Sequence, residues 1–452
     1  MRIKVLLDHV SREIDFAISL KKAIEENNLG YVNITHQDYI STNNTYDFFE
    51  KTFDGIYDVI IVPSYHVVRT PHMLLRAVAN RAKIVVYHSE QIIREYIEPE
   101  KLNLEYTEQF NFHVAAHFVW GEDFSSKLIK KAKVMPDKIF LVGNYKMDFA
   151  KECSSIVQSS ILVASDYKPA DMSEVDMEDF YKEYKVHFDR KRQKVCTQAR
   201  VCMLKFVKEQ AVLFPTLTFM LRPHPGESKS EYQKILSDNV KISEDGATFS
   251  SDLKNSDVVL GFTSTSCLEV ISAKKRFISV DFFEFDKEDL SAHKILLDWT
   301  SIEETKALLS SLNEGILPES NLEQQKNLSS LLKNYEDVGA NIVSALIFIN
   351  SEDYAYQTKL TKSDIFPLMN SFLAGAGKFL SLKIAVWLRG RLRSQLILDR
   401  VSESYSKRLA TNENFNEEIL EKYQTKFAPY NYVKSNSVVH TSLGYIFEIK
   451  AS

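Results

Sequence analysis

Arg222-Pro223-His224-Pro225-Gly226-Glu227 directly follows an apolar run, and Ser256-Asp257-Val258-Val259-Leu260-Gly261-Phe262-Thr263-Ser264-Thr265-Ser266 contains a second one, with Glu269 just beyond it. Apolar runs of this kind are typical of strands in a parallel sheet, which presents the loops at its carboxyl edge to a ligand. The first segment offers a guanidinium and an imidazole, and the second offers hydroxyls at a predicted helix N-terminus. Together they predict a site for a phosphate or pyrophosphate.

The part of the chain before these segments alternates apolar strands with helical stretches. The pattern predicts a helix over 11–27 and strands over 3–7, 31–35, 57–63, 83–87, 117–120 and 138–142. Such alternation predicts a parallel sheet covered by helices on both faces. We therefore expect an N-terminal Rossmann-like domain over residues 1–150.

The pattern repeats over residues 151–350. It predicts strands over 161–164, 216–221, 240–242, 258–261 and 276–280, and helices over 177–213, 302–312 and 322–348. The fold class is therefore α/β, with two tandem Rossmann-like domains facing a cleft, the architecture called GT-B. Glycosyltransferases and epimerases share this architecture, so the fold alone does not decide function.

Composition excludes several other classes. The chain has 452 residues, 44% hydrophobic and 26% charged, with a formal net charge of -5, which argues against a general nucleic-acid binder. Its four cysteines show no CxxC spacing and predict reduced thiols in a cytoplasmic protein. The charged N-terminal strand does not resemble a signal peptide, and no apolar run is long enough for a membrane span.

The last segment, 351–452, is predicted to be a helical, basic amphipathic extension. Between Lys378 and Arg393 it carries basic residues and Trp387 but no acidic residue. Such a helix fits an anionic membrane surface, which would place 366–400 at the inner face of the cell membrane. The competing interpretation is a helical appendage packed on the second domain with its basic side in water.

A phosphate or pyrophosphate site indicates an activated donor such as a nucleotide-sugar. His224 is the leading candidate for contact with the phosphate of that donor. The flanking Pro223 and Pro225 stiffen its loop, which suits an imidazole that hydrogen-bonds or protonates a leaving phosphate. The alternative is a histidine that caps a turn. Arg222 would add positive charge for the phosphate, or form a surface ion pair instead. Glu227 is predicted to be a helix-start residue.

Hydroxyls supply the rest of the predicted donor site. Ser264, Thr265 and Ser266 can receive a phosphate, although N-capping of the following helix needs one of the three. Glu269 would accept hydrogen bonds from ribose hydroxyls, or else belong to a capping box. Ser165, at the end of the first strand of the second domain, would donate to a phosphate.

The first domain should supply a general base and an acceptor site. Glu90, after the fourth strand, is the preferred base, and His88 is the second choice. The alternative for Glu90 is capping of the next helix. The predicted acceptor-binding residues follow the first and third strands, and they are Asp8, His9, Ser64 and His66.

These motifs resemble those of bacterial surface-carbohydrate biosynthesis proteins of GT-B type over about residues 1–345. The resemblance rests on Trp120-Gly121-Glu122, Gly143-Asn144 with Asp148, Arg222 to Glu227, Ser256-Asp257, and Ser264 to Ser266 with Glu269. The His-Pro pair and the hydroxyl cluster are also similar to those of polysialyltransferases, capsular Kdo transferases and CDP-glycerol glycerophosphotransferases.

The resemblance implies a glycosyltransferase of capsule or lipopolysaccharide assembly. It would transfer a sugar from a CMP-linked donor to a glycan or glycolipid acceptor, with inversion and without a metal or other cofactor. The acidic pair plus glycine that such transferases use as a base motif corresponds here to Ser89-Glu90-Gln91, which keeps one carboxylate. Three alternatives stay open: a CDP-polyol phosphotransferase, a non-catalytic GT-B-like scaffold or binding protein, and, ranked last, a UDP-sugar 2-epimerase.

Overall fold

The chain forms two compact units. The structure, a computed structural model, describes residues 1–7, 10–36, 57–62, 81–88, 113–151, 153, 159–178, 190–224, 227–244, 247–285, 296–317, 321–334, 337–351, 353–354, 435–441 and 444–450. The first unit combines Met1–Gly143 with Asp337–Ser452, and the second is Asn144–Glu336. Along the chain, the second unit is thus an insertion within the first.

The described elements follow one another as alternating strands and helices. The first stretch contains β1 (Arg2–Leu7), α1 (Val10–Glu26), β2 (Tyr31–His36), β3 (Val59–Val62), β4 (Lys83–Tyr87), β5 (Val114–Val119), α2 (Glu122–Ala132) and β6 (Ile139–Leu141). The inserted unit contains α3 (Lys146–Lys151), β7 (Ser160–Ala164), α4 (Arg190–Leu213), β8 (Thr218–Arg222), α5 (Ser230–Gln233), β9 (Val240–Ile242), α6 (Phe249–Lys254), β10 (Val258–Gly261), α7 (Cys267–Ser272), β11 (Arg276–Asp281), β12 (Asp298–Ser301), α8 (Ile302–Asn313) and α9 (Leu322–Leu331). The returning stretch contains α10 (Val338–Asn350), β13 (Ser435–Thr441) and β14 (Gly444–Lys450).

The sheet of the first unit has the strand order β13-β14-β2-β1-β3-β4-β5-β6. Strands β1 to β6 pair in parallel, and the β13–β14 hairpin joins β2 in antiparallel fashion. All six residues of β5 are buried, as expected for a strand covered on both faces. The parallel order reverses direction between β1 and β3, which makes this pair the topological switch point of the sheet.

The returning helix α10 completes the first unit. It packs on α1 and β5, and Lys83 donates from Nζ to the carbonyl of Ile349 near the C-terminal end of the helix. Tyr354, just beyond the helix, donates its hydroxyl to the Ala115 carbonyl of β5. Asp337 caps the helix start by accepting from the Ala340 amide at 3.1 Å. These contacts fasten a distant part of the chain onto the first sheet.

The sheet of the second unit is parallel throughout, with the order β12-β11-β10-β7-β8-β9. Counting from β7, this is the Rossmann order, and its switch point lies between β7 and β10. The four residues of β10 are all buried, and β7 is buried from Ile161 to Ala164. The core of the unit gathers both strands with β8, α4 and α8.

The sequence-based predictions of the two Rossmann-like sheets are confirmed, with three local differences. The helix expected over 322–348 is two helices, α9 and α10. The strand β12 was not predicted. The β13–β14 hairpin replaces the helical structure expected for that part of 351–452. The segment 366–400 lies outside the described residues.

Gly261 marks a close approach at the switch point. A Cβ atom on this residue would lie 2.5 Å from the ring of Phe277 and 3.4 Å from the Ala164 carbonyl oxygen. The Phe277 ring is fully buried, so it has little room to move away. Glycine therefore permits the packing of the ring at the carboxyl end of β10.

We expect Gly261→Ala to lower the free energy of unfolding of the second unit by about 1–3 kcal/mol, because it overpacks a filled core. Adding Phe277→Leu should recover part of that loss. Urea unfolding with hydrogen exchange in β10 and β11 as the readout measures the loss in Gly261→Ala and its recovery in the double variant. As a control, Gly315→Ala meets no atom within 4 Å and carries only the strain of its φ of +81°, so Phe277→Leu should not relieve its loss. If the free-energy losses of the two single variants add fully in the double variant Gly261→Ala/Phe277→Leu, the assigned contact is contradicted.

Candidate functional site

The switch point of the second unit brings together the loops that the sequence singled out. Ser165 follows β7, His224 follows β8, and Ser264 to Ser266 follow β10. Since β7 lies between β8 and β10, the three loops leave the same edge of the sheet on consecutive strands. The outer two strands are about 10 Å apart, given the usual spacing of neighbouring strands. A phosphate-bearing ligand at this edge would meet all three loops.

His224 is hydrogen-bonded through both its backbone amide and its backbone carbonyl. Its backbone amide donates to Ser165 Oγ at 3.1 Å, and its carbonyl accepts from the Glu227 amide at 2.8 Å. One step earlier, the Ser165 amide donates to the Arg222 carbonyl at 3.1 Å. The residue itself is half-buried. These bonds hold the backbone of His224, from which the imidazole extends, close to the end of β7.

Ser165 is buried, and its hydroxyl is used inside the protein. It donates to Glu227 Oε1 at 2.7 Å while accepting from the His224 amide. A serine hydroxyl has one proton to donate. The predicted hydrogen bond from Ser165 to a phosphate would therefore require breaking the bond to Glu227.

Glu227 differs from its predicted role as a helix-start residue. The residue is 8% exposed, and its carboxylate accepts from Ser165 Oγ, from the Tyr167 amide at 2.6 Å and from the Tyr232 hydroxyl. Burial raises the pKa of the Glu227 carboxyl, while these hydrogen bonds oppose the shift. The helix α5 begins beyond it, with Lys229 at its N-cap. Glu227 joins the loop after β8 to the loop after β7.

Arg222 forms the ion pair that was its alternative interpretation. Its guanidinium binds the Asp252 carboxylate, Ser243 Oγ at 3.2 Å and the carbonyls of Thr248 and Ala247 at 3.3 and 3.0 Å. These bonds tie the end of β8 to α6 and to the residues after β9. The phosphate contact of Arg222 stays a prediction.

The hydroxyl cluster after β10 is not used to cap α7. Ser266 occupies the N-cap position without a side-chain hydrogen bond to the helix, so the capping alternative does not describe this site. The hydroxyls of Ser264 and Ser266 lie 2.8 Å apart, and the Ser266 amide donates to Ser264 Oγ at 3.3 Å. Thr265 is exposed and the two serines are half-buried, so all three are open to a ligand.

Glu269 is paired with a lysine of the same unit. Its Oε1 lies 3.8 Å from Nζ of Lys146, on α3, which packs against α7. The structure shows no capping box between Glu269 and Ser266. The Glu269 carboxylate can accept hydrogen bonds from the hydroxyls of a ribose. The ribose contact itself stays a prediction.

His88 follows β4 and is buried against a second histidine. Its Nε2 lies 3.1 Å from Nδ1 of His117, the two rings stack with centroids 5.4 Å apart, and Phe124 meets His88 edge-on at 5.0 Å. Burial lowers the pKa of His88 to about 3 and that of His117 well below its ordinary value. A neutral imidazole of such low basicity is a weak general base at neutral pH.

The other candidates of the first unit lie outside the described residues, and they are Glu90, Asp8, His9, Ser64 and His66. Within the described ranges, no three His, Cys, Asp or Glu side chains are grouped closely enough to hold a metal ion. In that same part of the chain, no helix combines the length and the apolar character needed to cross a membrane. All four cysteines carry free thiols.

Comparison with known proteins identifies the fold. No family model and no curated protein sequence matches the chain. Among solved structures, it is similar to a putative UDP-N-acetylglucosamine 2-epimerase from Listeria monocytogenes, with a TM-score of 0.50 and 12% identity over 79% of this chain and 99% of that chain. The fold is GT-B.

Two further solved structures are similar to the chain at TM-scores below 0.5. One is a UDP-GlcNAc 2-epimerase from Neisseria meningitidis bound to UDP-GlcNAc, with a TM-score of 0.48 and 13% identity over 77% of this chain and 100% of that one. The other is the wall teichoic acid polymerase TagF, with a TM-score of 0.44 and 10% identity over 77% and 88%. Identities this low leave the resemblance to polysialyltransferases and Kdo transferases a prediction.

The buried histidine pair predicts an acid-sensitive first unit. The unfolded chain binds a proton at His88 below its ordinary pKa of 6.5, whereas the folded chain does so only near pH 3. The stability is therefore complete above pH 6.5 and falls by about 1.4 kcal/mol per pH unit for this histidine between those values.

His88→Gln should remove that share of the pH dependence. Urea unfolding at pH 7.5 and 5.5, with pulse deuterium labelling of β5, measures it for the first unit alone. His113→Gln, at another buried histidine before β5, serves as the control for inserting a glutamine. An unchanged pH dependence in His88→Gln would show that His88 is protonated readily in the folded protein.

Proposed function

We propose that this chain is an inverting, metal-independent glycosyltransferase of bacterial surface polysaccharide biosynthesis. It transfers a sugar from a CMP-linked donor to a glycan or glycolipid acceptor. One observation carries the proposal: β7, β8 and β10 deliver Ser165, His224 and the Ser264–Ser266 hydroxyls to one edge of the second sheet, at its switch point. Ligands of open α/β sheets bind at this position.

The second unit would bind the donor. His224 hydrogen-bonds or protonates the phosphate that departs with the nucleotide, and the hydroxyls of Ser264, Thr265 and Ser266 bind its other oxygens. Glu269 accepts from the ribose. Arg222, held by Asp252, adds positive charge behind the loop. These contacts offset the negative charge that develops as the bond to the nucleotide breaks.

The first unit would bind the acceptor. Asp8 and His9 follow β1 in the sequence, and Ser64 and His66 follow β3, so both pairs come after the strands that flank the switch point of the first sheet. The low pKa of His88 favours Glu90 as the general base. Glu90 removes the proton of the acceptor hydroxyl, whose oxygen attacks the anomeric carbon while the bond from that carbon to the phosphate oxygen breaks.

The proposed location of the enzyme in the cell follows from the nature of the acceptor. Lipid-linked acceptors are assembled at the inner face of the cell membrane, and the basic segment 366–400 would hold the enzyme there against anionic lipid. The enzyme would otherwise reside in the cytoplasm.

Calorimetric titration with CMP, CDP, UDP, GDP and ADP tests the donor site. We expect selective binding of CMP or CDP, weakened at least tenfold in His224→Ala, because a charge-assisted hydrogen bond to phosphate contributes about that much. Ser230→Ala, an exposed serine shortly after the loop, is the matched control and should bind like the unchanged protein. Binding of UDP alone would favour UDP-sugar chemistry, and binding of none would favour the scaffold interpretation.

Glu90→Ala tests the chemistry. With a CMP-sugar and a glycan acceptor, we expect transfer to fall by about two to four orders of magnitude at unchanged CMP affinity, as for loss of a general base. Mass spectrometry of the product separates the alternatives, since a phosphodiester product would indicate a CDP-polyol phosphotransferase. Unaltered transfer in Glu90→Ala would remove Glu90 from the reaction.

A further inference from the structure

We infer that Ser165 and Glu227 are positioning residues for His224 and that Ser165 does not bind the donor phosphate itself. The inference rests on the proposed function, in which His224 meets that phosphate. It changes the role expected for Ser165 and gives Glu227, which the reaction scheme does not otherwise use, a role in the site.

The argument begins with the backbone of the loop. Pro223 and Pro225 have no amide proton, so His224 supplies the sole backbone donor between them. That donor is directed at Ser165 Oγ, 3.1 Å away. The bond fixes His224 relative to the end of β7, and it continues the ladder made by the Ser165 amide and the Arg222 carbonyl.

The hydroxyl that receives this bond is itself held in place. Ser165 donates its proton to Glu227 Oε1 at 2.7 Å, and a charged acceptor makes this bond a strong one. The hydroxyl thereby presents a lone pair to the His224 amide. Its proton is not available to a phosphate.

Glu227 can serve as this anchor because it is fixed from two other directions. The Tyr167 amide donates to Oε1 at 2.6 Å and the Tyr232 hydroxyl donates to Oε2. Burial and the neighbouring carboxylate raise the pKa of Tyr232, which keeps its hydroxyl protonated as a donor. Residues 222 and 227, at the two ends of the loop, are thus both tied to residues 165–167.

Amide exchange at His224, measured by NMR in the free protein, tests the positioning without any ligand. We expect Ser165→Ala to speed this exchange at least tenfold, since it removes the hydroxyl that accepts from the His224 amide at 3.1 Å. Ser165→Thr keeps the hydroxyl and should retain slow exchange, and Ser230→Ala should change nothing. Exchange at His224 that is unchanged in Ser165→Ala overturns the inference.

A double-variant cycle with CMP then separates positioning from direct contact. We expect Ser165→Ala to weaken CMP binding about tenfold when His224 is present and less than twofold in a His224→Ala background. Equal, additive losses in the two backgrounds would mean that Ser165 touches the phosphate, and would overturn the inference. If the unchanged protein binds no CMP, the proposed function fails, while the exchange experiment still decides the positioning.

Discussion

The parallel pairing of β7 with β10 is the constraint on which the second unit depends. The register sets Val258 beside Ile161 and Leu260 beside Val163, and it leaves the loops after both strands at one edge. Because the chain moves outward in opposite directions from this pair, neither neighbouring crossover covers the gap above it. The close approach at Gly261 and Phe277 is part of the same arrangement. The position of the hydroxyl cluster next to the end of β7 follows from this pairing, and the position of His224 follows from the parallel pairing of β7 with β8.

A second level of organisation consists of buried charges that fix loops. Glu227 joins two loops across the end of the sheet, and Arg222 with Asp252 joins β8 to α6. Removing one partner from such a network leaves the other desolvated, which costs more than the bond contributes. Polar residues near this edge of the sheet thus form two groups, those that hold the loops and those that stay at least partly exposed to solvent. The second group contains Ser264, Thr265 and Ser266.

Sequence reasoning predicted the strands well because most of them are short apolar runs between turns. It missed β12, Asp298–Ser301, since this edge strand is polar and has a single buried residue. It also joined α9 and α10 into one helix, although Asp337 caps the start of the second. The β13–β14 hairpin pairs with β2 from the far end of the chain, and local patterns do not reveal such pairing.

For the candidate site, the sequence identified the loops but not the role of each residue. Two of the partners of Glu227, Ser165 and Tyr167, lie some sixty positions earlier, and Asp252 lies thirty positions after Arg222. Glu227 next to a helix therefore looked like a helix-start residue. Likewise, the pairing of His88 with His117 depends on β4 lying beside β5. These roles come from tertiary contacts, which spacing along the chain does not encode.

The division of the first unit into two stretches has a consequence for biosynthesis. The helix α10 packs on α1 and β5, and the ribosome synthesises it only after the whole second unit. The second unit is one continuous segment and can reach its native contacts first, while the first sheet waits with an uncovered apolar surface. Nascent chains that end before Asp337 thus lack the helix that packs on α1 and β5, and their first unit is the part most in need of a chaperone.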